Sequence, residues 1–512
     1  MRPAATLLRA GDAAIGPADN ERLLVIDPLA CLLMAVGLVA VDAAARPGIL
    51  AAHRPRSAGG LAVLIGAGTA LLGVLVVVMG AWVPAAVLVV LLGAALTLVS
   101  NIKRDVLGEP LVFTDLALVG AVFQHPQFYL SALRPWHVAV LMLGGATLGA
   151  VVLLLATGDL SARLYGLGLA GLGLLWLKAA TGHAVWRPLA ADPDLERDVR
   201  THGLVAILLV YWRLWKRQTA PQPTPRLPIA GEDDALLIVI QCESFADPQD
   251  LFGAGEPALP GLAAARAQAW RAGRLAVPGF GAYTMRTEFG VLFGLPESAL
   301  GLHRFDPFLT AANAAGWALP NRLERAAWTS TFVHPHDMRF YGRDRLMPAA
   351  GFDRIVGEDA FPAPTAAEGR YVTDAAVCDG LLALAGEAAG RHFLYAVTIE
   401  NHGPWSAGGA GGPGNKAEYL RLLANSDAML ARLLAELPRL RRPVTLCFFG
   451  DHRPSIPAVS LPGGDRHTPF VIVRFDADGN AIPAADPAQT LTPAELHGEI
   501  LAALDSGDGQ GS

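Results

Sequence analysis

The chain has 512 residues, 53% of them apolar, and a mean hydropathy of +0.38, too high for a wholly soluble protein. Lys and Arg total 40 against 46 Asp and Glu, and the resulting net charge of −6 excludes a general nucleic-acid binder. Cys31, Cys242, Cys378 and Cys447 form no CxxC pair, so they read as small buried residues and not as a disulfide framework.

The apolar excess is concentrated in the first part of the chain. Residues 57–102 hold no charged side chain over 46 positions. As one helix they would extend ~69 Å at ~1.5 Å per residue, more than twice a ~30 Å hydrocarbon core. The run therefore divides into two spans, with Gly80-Ala81-Trp82-Val83-Pro84 as the turn. Residues 23–41, 138–157 and 160–181 bring the expected count to five. Asp27, beside Pro28, falls at the headgroup level of the first span. Arg163 and Lys178 stand near the ends of the last, where both can snorkel. The first span lacks a small-residue cleavage site and reads as a retained helix. Arg2, Arg9 and Arg22 favour an inside N-terminus, while Arg46, Arg54 and Arg56 oppose it.

Residues 101–116 read as a polar loop, followed by an aromatic-rich stretch at 123–136. Residues 203–212 are apolar but too short to cross. The following Trp212-Arg213-Leu214-Trp215-Lys216-Arg217 suits either the lipid interface or an ordinary packed helix. Residues 218–230, with four prolines, read as a semi-rigid linker. The expected division is a transmembrane domain at 1–183, a juxtamembrane segment and linker at 184–230, a soluble domain at 231–505 and a frayed tail at 506–512.

Three apolar runs, 236–240, 393–399 and 444–449, read as buried strands. They alternate with helical patterns such as 416–437, which predicts an α/β domain. The runs lead to Glu243, to His402, and to Asp451 with His452. Ligands of open α/β sheets gather at the carboxyl ends of strands. A carboxylate, an imidazole and an Asp-His pair would therefore meet at one edge, a donor set suited to Mn²⁺, Zn²⁺ or Mg²⁺. Residues 275–280 read as a further strand, leading through Gly281-Ala282-Tyr283-Thr284 into a helix-compatible run at 287–295. Thr284 then lies near a helix N-terminus, where it is either a simple cap or a metal-activated nucleophile.

At these residues the chain resembles a known family. Residues 235–475 resemble the lipoteichoic acid synthase and periplasmic glucan phosphoglycerol transferase family of the alkaline phosphatase–sulfatase superfamily. The motifs that carry the resemblance are Glu243-Ser244-Phe245, Gly281 to Phe289 with Thr284 four residues before Glu288, and Phe332-Val333-His334 with Phe340-Tyr341-Gly342-Arg343-Asp344. Asn401-His402-Gly403-Pro404-Trp405 and Gly450-Asp451-His452 complete the series in order.

The resemblance implies a membrane domain of about five spans followed by a sulfatase-like α/β catalytic domain on the periplasmic or outer side of the cell membrane. It implies that Glu243, Thr284, Asp451 and His452 hold a divalent metal, Mn²⁺ first with Mg²⁺ or Zn²⁺ as alternatives, and that Thr284 is the nucleophile. His334, Tyr341, Arg343 and His402 would bind the substrate; Tyr341 replaces a tryptophan of the founding members, which bears on head-group preference. His467 stands where two-metal relatives hold a second ion, or marks a strand start. The implied reaction takes phosphoglycerol from a phospholipid such as phosphatidylglycerol, through a phosphothreonine, to a hydroxyl on a glycan or other acceptor. Arg343 would recognise the phosphate bidentately.

A phosphoethanolamine transferase shares this mechanism and differs in the head group. A sulfatase would need a C/S-x-P-x-R motif, and none of the four cysteines has that context. A silent membrane scaffold would be expected to lack at least one of Glu243, Thr284, Asp451 and His452, and all four are present.

Overall fold

The computed structural model describes residues 27–47, 55–118, 135–221, 228–365, 367–405, 413–484 and 488–505. The expected tail, most of the aromatic stretch, the centre of the proline-rich linker, and Arg2, Arg9, Arg22 and Arg54 lie outside them. Two compact units form, each drawn from several stretches of chain. The first uses residues up to 98, 139–183 and 200–206; the second uses 99–138, 184–199 and 207 onward.

The first unit is helical. Ala58–Met79, Trp82–Leu107 (which continues into the second unit) and Leu160–Gly182 are long and apolar enough to cross a membrane. Pro28–Ala43 and Pro135–Leu155 stand where the other two spans are expected. Pro28–Ala43 has 16 residues as described, ~24 Å of helix, and residues 23–26 of that expected span lie outside the described set. Asp27 is its N-cap: the carboxylate accepts the Leu29 and Ala30 N–H groups at 2.9 and 3.1 Å, and Pro28 sits at the helix start where its missing N–H costs nothing. Gly80 closes Ala58–Met79 in the left-handed region at φ 67, and the chain re-enters helix at Trp82. Ala58–Met79 and Leu160–Gly182 meet at glycines. A Cβ at Gly73 would lie 2.3 Å from the Ala170 nitrogen, and one at Gly173 would lie 2.3 Å from the Ala70 nitrogen. Small residues thus let the two backbones touch, which is how apolar helices associate without a hydrophobic driving force.

The second unit carries one eight-stranded sheet. Its strands are β1 Leu236–Cys242, β2 Ala269–Leu275, β3 Trp328–Val333, β4 Arg354–Val356, β5 Arg391–Val397, β6 Val444–Gly450, β7 Thr468–Phe475 and β8 Ala488–Leu491. The order is β4-β3-β5-β1-β6-β7-β2-β8. From β4 to β6 all neighbours are parallel, whereas β7 runs antiparallel to both β6 and β2. Apolar layers cover both faces, one around Phe289, Phe332 and Tyr395, the other around Phe245, Leu394 and Phe448. Strands β1, β6 and β7 are buried along their whole length, which is why β1 and β6 are unbroken apolar runs in the sequence.

The strand expected at 275–280 falls instead at 269–275. Pro278 has no N–H to give a ladder, and Gly279 and Gly281 flank the turn that follows. The observed strand β2 is only half buried and alternates Arg271 and Arg274 with Ala272 and Leu275, so no apolar run announces it.

Register sets the site. Cys242 of β1 pairs with Gly450 of β6, so Glu243 and Asp451 leave adjacent parallel strands at the same level. Gly450 is obligatory there, because a Cβ would lie 1.9 Å from the Phe245 carbonyl oxygen. Gly450→Ala should therefore destabilise the α/β unit by ~1–3 kcal/mol or more, as overpacking does. Chemical denaturation followed by tryptophan fluorescence should show the shift, and an unchanged midpoint would contradict the close approach.

Candidate metal centre

Four neighbouring parallel strands deliver the candidate residues to one edge. Strand β1 is followed by Glu243, β6 by Asp451 and His452, β3 by His334, and β5 leads through Thr398 to His402. Glu243, Asp451 and His452 each offer a ligand atom, and these atoms lie within 4.8 Å of one another. All three side chains are buried. His452 Nε2 stands 3.5 Å from Glu243 Oε1 and 3.5 Å from Asp451 Oδ2. Its Nδ1 faces the Arg453 carbonyl at 3.2 Å, which favours the tautomer whose free Nε2 lone pair points at the two carboxylates.

Backbone geometry fixes these groups. Ser244 adopts φ 51, its N–H donates to Asp451 Oδ1 at 2.8 Å, and its hydroxyl donates to Glu243 Oε1 at 2.9 Å. The His452 N–H also donates to Asp451 Oδ1 at 2.8 Å. Asp451 Oδ2 is left buried with no hydrogen-bond partner among the described residues. Burial, and then the Asp451 charge, push the Glu243 carboxyl well above its ordinary range. Two buried carboxylates, one with an orphaned oxygen, are costly without a compensating cation. The two-oxygen, one-nitrogen set fits a divalent ion such as Mn²⁺, Mg²⁺ or Zn²⁺.

Thr284 is the first residue of the helix Thr284–Phe293, and Tyr283, in the left-handed region, takes the cap position. Capping therefore does not account for Thr284. Its Oγ1 lies 3.4 Å from His452 Nε2, which brings it to the same cluster. Thr287, one turn on, donates to the Asp451 carbonyl at 2.7 Å and ties the helix to the end of β6.

The expected substrate residues form a second tier. Arg343 is 1% exposed, and its Nε donates to Glu288 Oε1 at 3.2 Å while Nη2 donates to Glu288 Oε2. Nη1 lies 3.3 Å from His334 Nε2, and His334 Nδ1 lies 2.9 Å from the Val397 carbonyl. Burial and then the Arg343 charge hold His334 well below the usual imidazole range, so it is neutral. Tyr341, at φ 58, places its ring 5.3 Å from the Arg343 guanidinium carbon. His402 lies 5.9 Å from the Tyr371 ring, its Nδ1 2.7 Å from the Gly403 carbonyl, and burial pushes it down to about 4. An open cavity of about 230 Å³ adjoins His402, lined also by Arg370, Tyr371, Glu400, Trp405 and Arg421. His467 is not part of the cluster of potential ligands among the described residues; its Nδ1 pairs with Asp465 at 2.5 Å.

Four supporting residues were given no role by sequence reasoning: Glu288, named there only as a motif position, and Thr398, Asp374 and Glu400. Glu288 anchors Arg343 and Thr398 accepts the Glu243 N–H at 3.0 Å. Asp374 and Glu400 form a buried carboxyl pair behind β1 and β5, with the Asp374 N–H on Glu400 Oε2 at 2.7 Å and Ser426 Oγ on Asp374 Oδ2 at 2.5 Å. Only Glu288 carried a signal, its spacing of one turn from Thr284.

Comparison with known proteins bears on the family and the fold. A sulfatase family model matches residues 235–487. The capsular polysaccharide biosynthesis protein RkpI of Rhizobium meliloti is 33% identical over 431 residues, covering 79% of this chain and 79% of that protein. A putative cyclic beta-1,2-glucan modification protein of the same organism is 24% identical over 238 residues, 44% of this chain and 36% of that one. Among solved structures, the integral membrane lipooligosaccharide phosphoethanolamine transferase A of Neisseria meningitidis covers 93% of this chain and 95% of its own at a TM-score of 0.54 and 13% identity, a likeness of fold. The molecule thus joins helices long and apolar enough to cross a membrane to a sulfatase-fold α/β domain. The chain belongs to the same family as that capsular polysaccharide protein and carries a sulfatase-family domain over residues 235–487.

The carboxyl pair behind the site gives a pH signature. Burial, and then the Glu400 charge, push the Asp374 carboxyl up to about 8. A carboxyl group raised on folding contributes stability that is complete below its unfolded value near ~4 and is lost as pH rises through about 8. Asp374→Asn should flatten the melting temperature between pH 5 and 8 and raise it above wild type at pH 8. A wild-type profile that rises across that window, or a variant with the same slope, would contradict the assignment.

Proposed function

We propose that the chain moves phosphoglycerol from a membrane phospholipid, phosphatidylglycerol, to a hydroxyl of a cell-envelope glycan through a phosphothreonine at Thr284. The observation that carries the reading is Thr284 Oγ1 at a helix N-terminus, 3.4 Å from His452 Nε2 and beside the Glu243–Asp451 pair. The acceptor class rests on the relatives, whose names place them in capsular polysaccharide biosynthesis and cyclic glucan modification. The catalytic domain would face the periplasm or exterior, where outer-leaflet lipid and envelope glycans meet, and the site would be anchored close to its bilayer-bound donor.

In the first step the Thr284 oxygen bonds to phosphorus, and the bond from phosphorus to the diacylglycerol oxygen breaks. The threonine proton is lost and diacylglycerol leaves as an alcohol, taking up a proton. In the second step the acceptor hydroxyl oxygen replaces Thr284 on phosphorus and its proton is released, restoring the enzyme. A divalent cation bound by Glu243, Asp451, His452 and Thr284 would supply charge neutralisation and a more acidic threonine hydroxyl. The backbone N–H groups of the first turn of Thr284–Phe293 favour the phosphoryl oxygens. Arg343, whose Nε and Nη2 are taken by Glu288 and whose Nη1 faces His334, orders this side of the site instead of gripping the phosphate bidentately as the sequence suggested, and Tyr341 and His402 contact the head group and acceptor. His467 remains the candidate for a second ion.

The test offers the purified full chain phosphatidylglycerol and phosphatidylethanolamine vesicles, each with a labelled head group, and measures diacylglycerol release. Phosphatidylglycerol should be consumed, and Thr284→Ala should lower turnover by roughly 10³-fold or more with the melting temperature unchanged. Consumption of phosphatidylethanolamine alone would move the assignment to a phosphoethanolamine transferase. Near-normal turnover by the alanine variant would place the nucleophile elsewhere.

A further inference from the structure

The helix that presents Thr284 starts from a strained residue. Tyr283 is held at φ 74 with no side-chain cap, a conformation that a bulky residue keeps only when its surroundings impose it. Part of those surroundings is residues 103–115, the last turn of the apolar helix Trp82–Leu107 and the segment that follows, whose Lys103 stands over the Tyr283 ring.

Arg286, the third residue of the nucleophile helix, is 7% exposed. Its Nη1 and Nη2 donate to the two carboxylate oxygens of Glu109 at 3.1 and 2.9 Å, and its Nε donates to the Phe305 carbonyl at 3.2 Å. The guanidinium is thereby locked in one plane, 3.9 Å from the centroid of the Tyr283 ring. Lys103 Nζ stands 5.4 Å from the same centroid and 3.6 Å from Glu109, and is itself fixed by Asp115 at 2.6 Å and the Pro110 carbonyl at 3.1 Å. Burial raises the Glu109 carboxyl, but Arg286 and then Lys103 outweigh it and bring it down to about 2, so it stays ionised. The turn before Tyr283 is walled by the same segment. Ser455 Oγ donates to the Val106 carbonyl at 2.7 Å, and a Cβ at Gly281 would lie 2.4 Å from Ser455 Cβ and 3.4 Å from Leu107 Cδ2.

We propose that Glu109 is a positioning residue for the nucleophile. It orients Arg286, Arg286 clamps the Tyr283 ring, and the backbone of Tyr283 decides where the helix begins and so where the Thr284 hydroxyl points. The role rests on the reading of Thr284 as nucleophile. Glu109 lies two residues beyond the end of Trp82–Leu107, so the chain leaving that apolar helix sets the geometry of the reacting oxygen. Displacing a reacting group by ~1 Å from a distance can cost about 100-fold in rate, whereas substrate held by other residues should bind as before.

The experiment compares wild type with Glu109→Gln and Glu109→Asp as full chains in phosphatidylglycerol nanodiscs. It reads kcat and KM for diacylglycerol release, and amide hydrogen exchange over residues 281–293. Glu109→Gln should lower kcat about 10- to 100-fold with KM within about twofold of wild type. It should also speed exchange over 281–293 while leaving β1, β5 and β6 protected, and Glu109→Asp should recover part of both. A Glu109→Gln variant with wild-type kcat, or with unchanged exchange over 281–293, overturns the proposal. So does a kcat loss that accompanies equal loss of protection throughout the sheet, since that is a merely structural effect. A wild type that transfers no head group refutes the proposed function instead, and the exchange comparison then decides the positioning role alone.

Discussion

The structure depends on burying two carboxylates side by side. Glu243 and Asp451 emerge from neighbouring parallel strands at matched register, in a layer where an uncompensated charge is expensive. Much of the surrounding architecture offsets that cost. Ser244 is turned into the left-handed region so that its N–H and hydroxyl reach one oxygen of each carboxylate. His452 presents its Nε2 to both. What remains unsatisfied is one Asp451 oxygen, and that remainder is what a cation would take up.

The helix Thr284–Phe293 is the second element organised around this pair. It is buried along its whole length and tied to the end of β6 by Thr287, to Arg343 by Glu288, and to residue 109 by Arg286. Three polar side chains within one turn and a half of Thr284 thus face three different partners. Such a fully satisfied network orients a helix more sharply than apolar packing alone, because each bond has a direction. It also explains a short, buried helix carrying Arg and Glu where a core helix would ordinarily be apolar.

Strands β1 and β6 were legible because both faces are buried, leaving unbroken runs of Val, Ile, Leu and Phe, and their ends gave Glu243, Asp451 and His452 directly. Strand β2 was misplaced because its outer positions, Arg271 and Arg274, look like a solvated segment. The pairings Arg343–Glu288 and Arg286–Glu109 join residues 55 and 177 positions apart, and no local pattern reports such contacts. Thr284 was found with two readings open, and only the backbone of Tyr283 could show that the cap position is already taken. The division into units was likewise hidden, since the return of residues 99–118 and 184–199 to the α/β unit is a matter of packing and not of composition.

The central claim is that Glu243, Asp451, His452 and Thr284 hold one divalent cation at the carboxyl edge of the sheet. The most direct measurement is anomalous diffraction at the manganese edge from crystals of the protein grown with Mn²⁺. The account predicts a single strong peak ~2.0–2.2 Å from one oxygen of each carboxylate, from His452 Nε2 and from Thr284 Oγ1. A peak bound elsewhere, or none at saturating Mn²⁺ with all four side chains in the arrangement described, would contradict it.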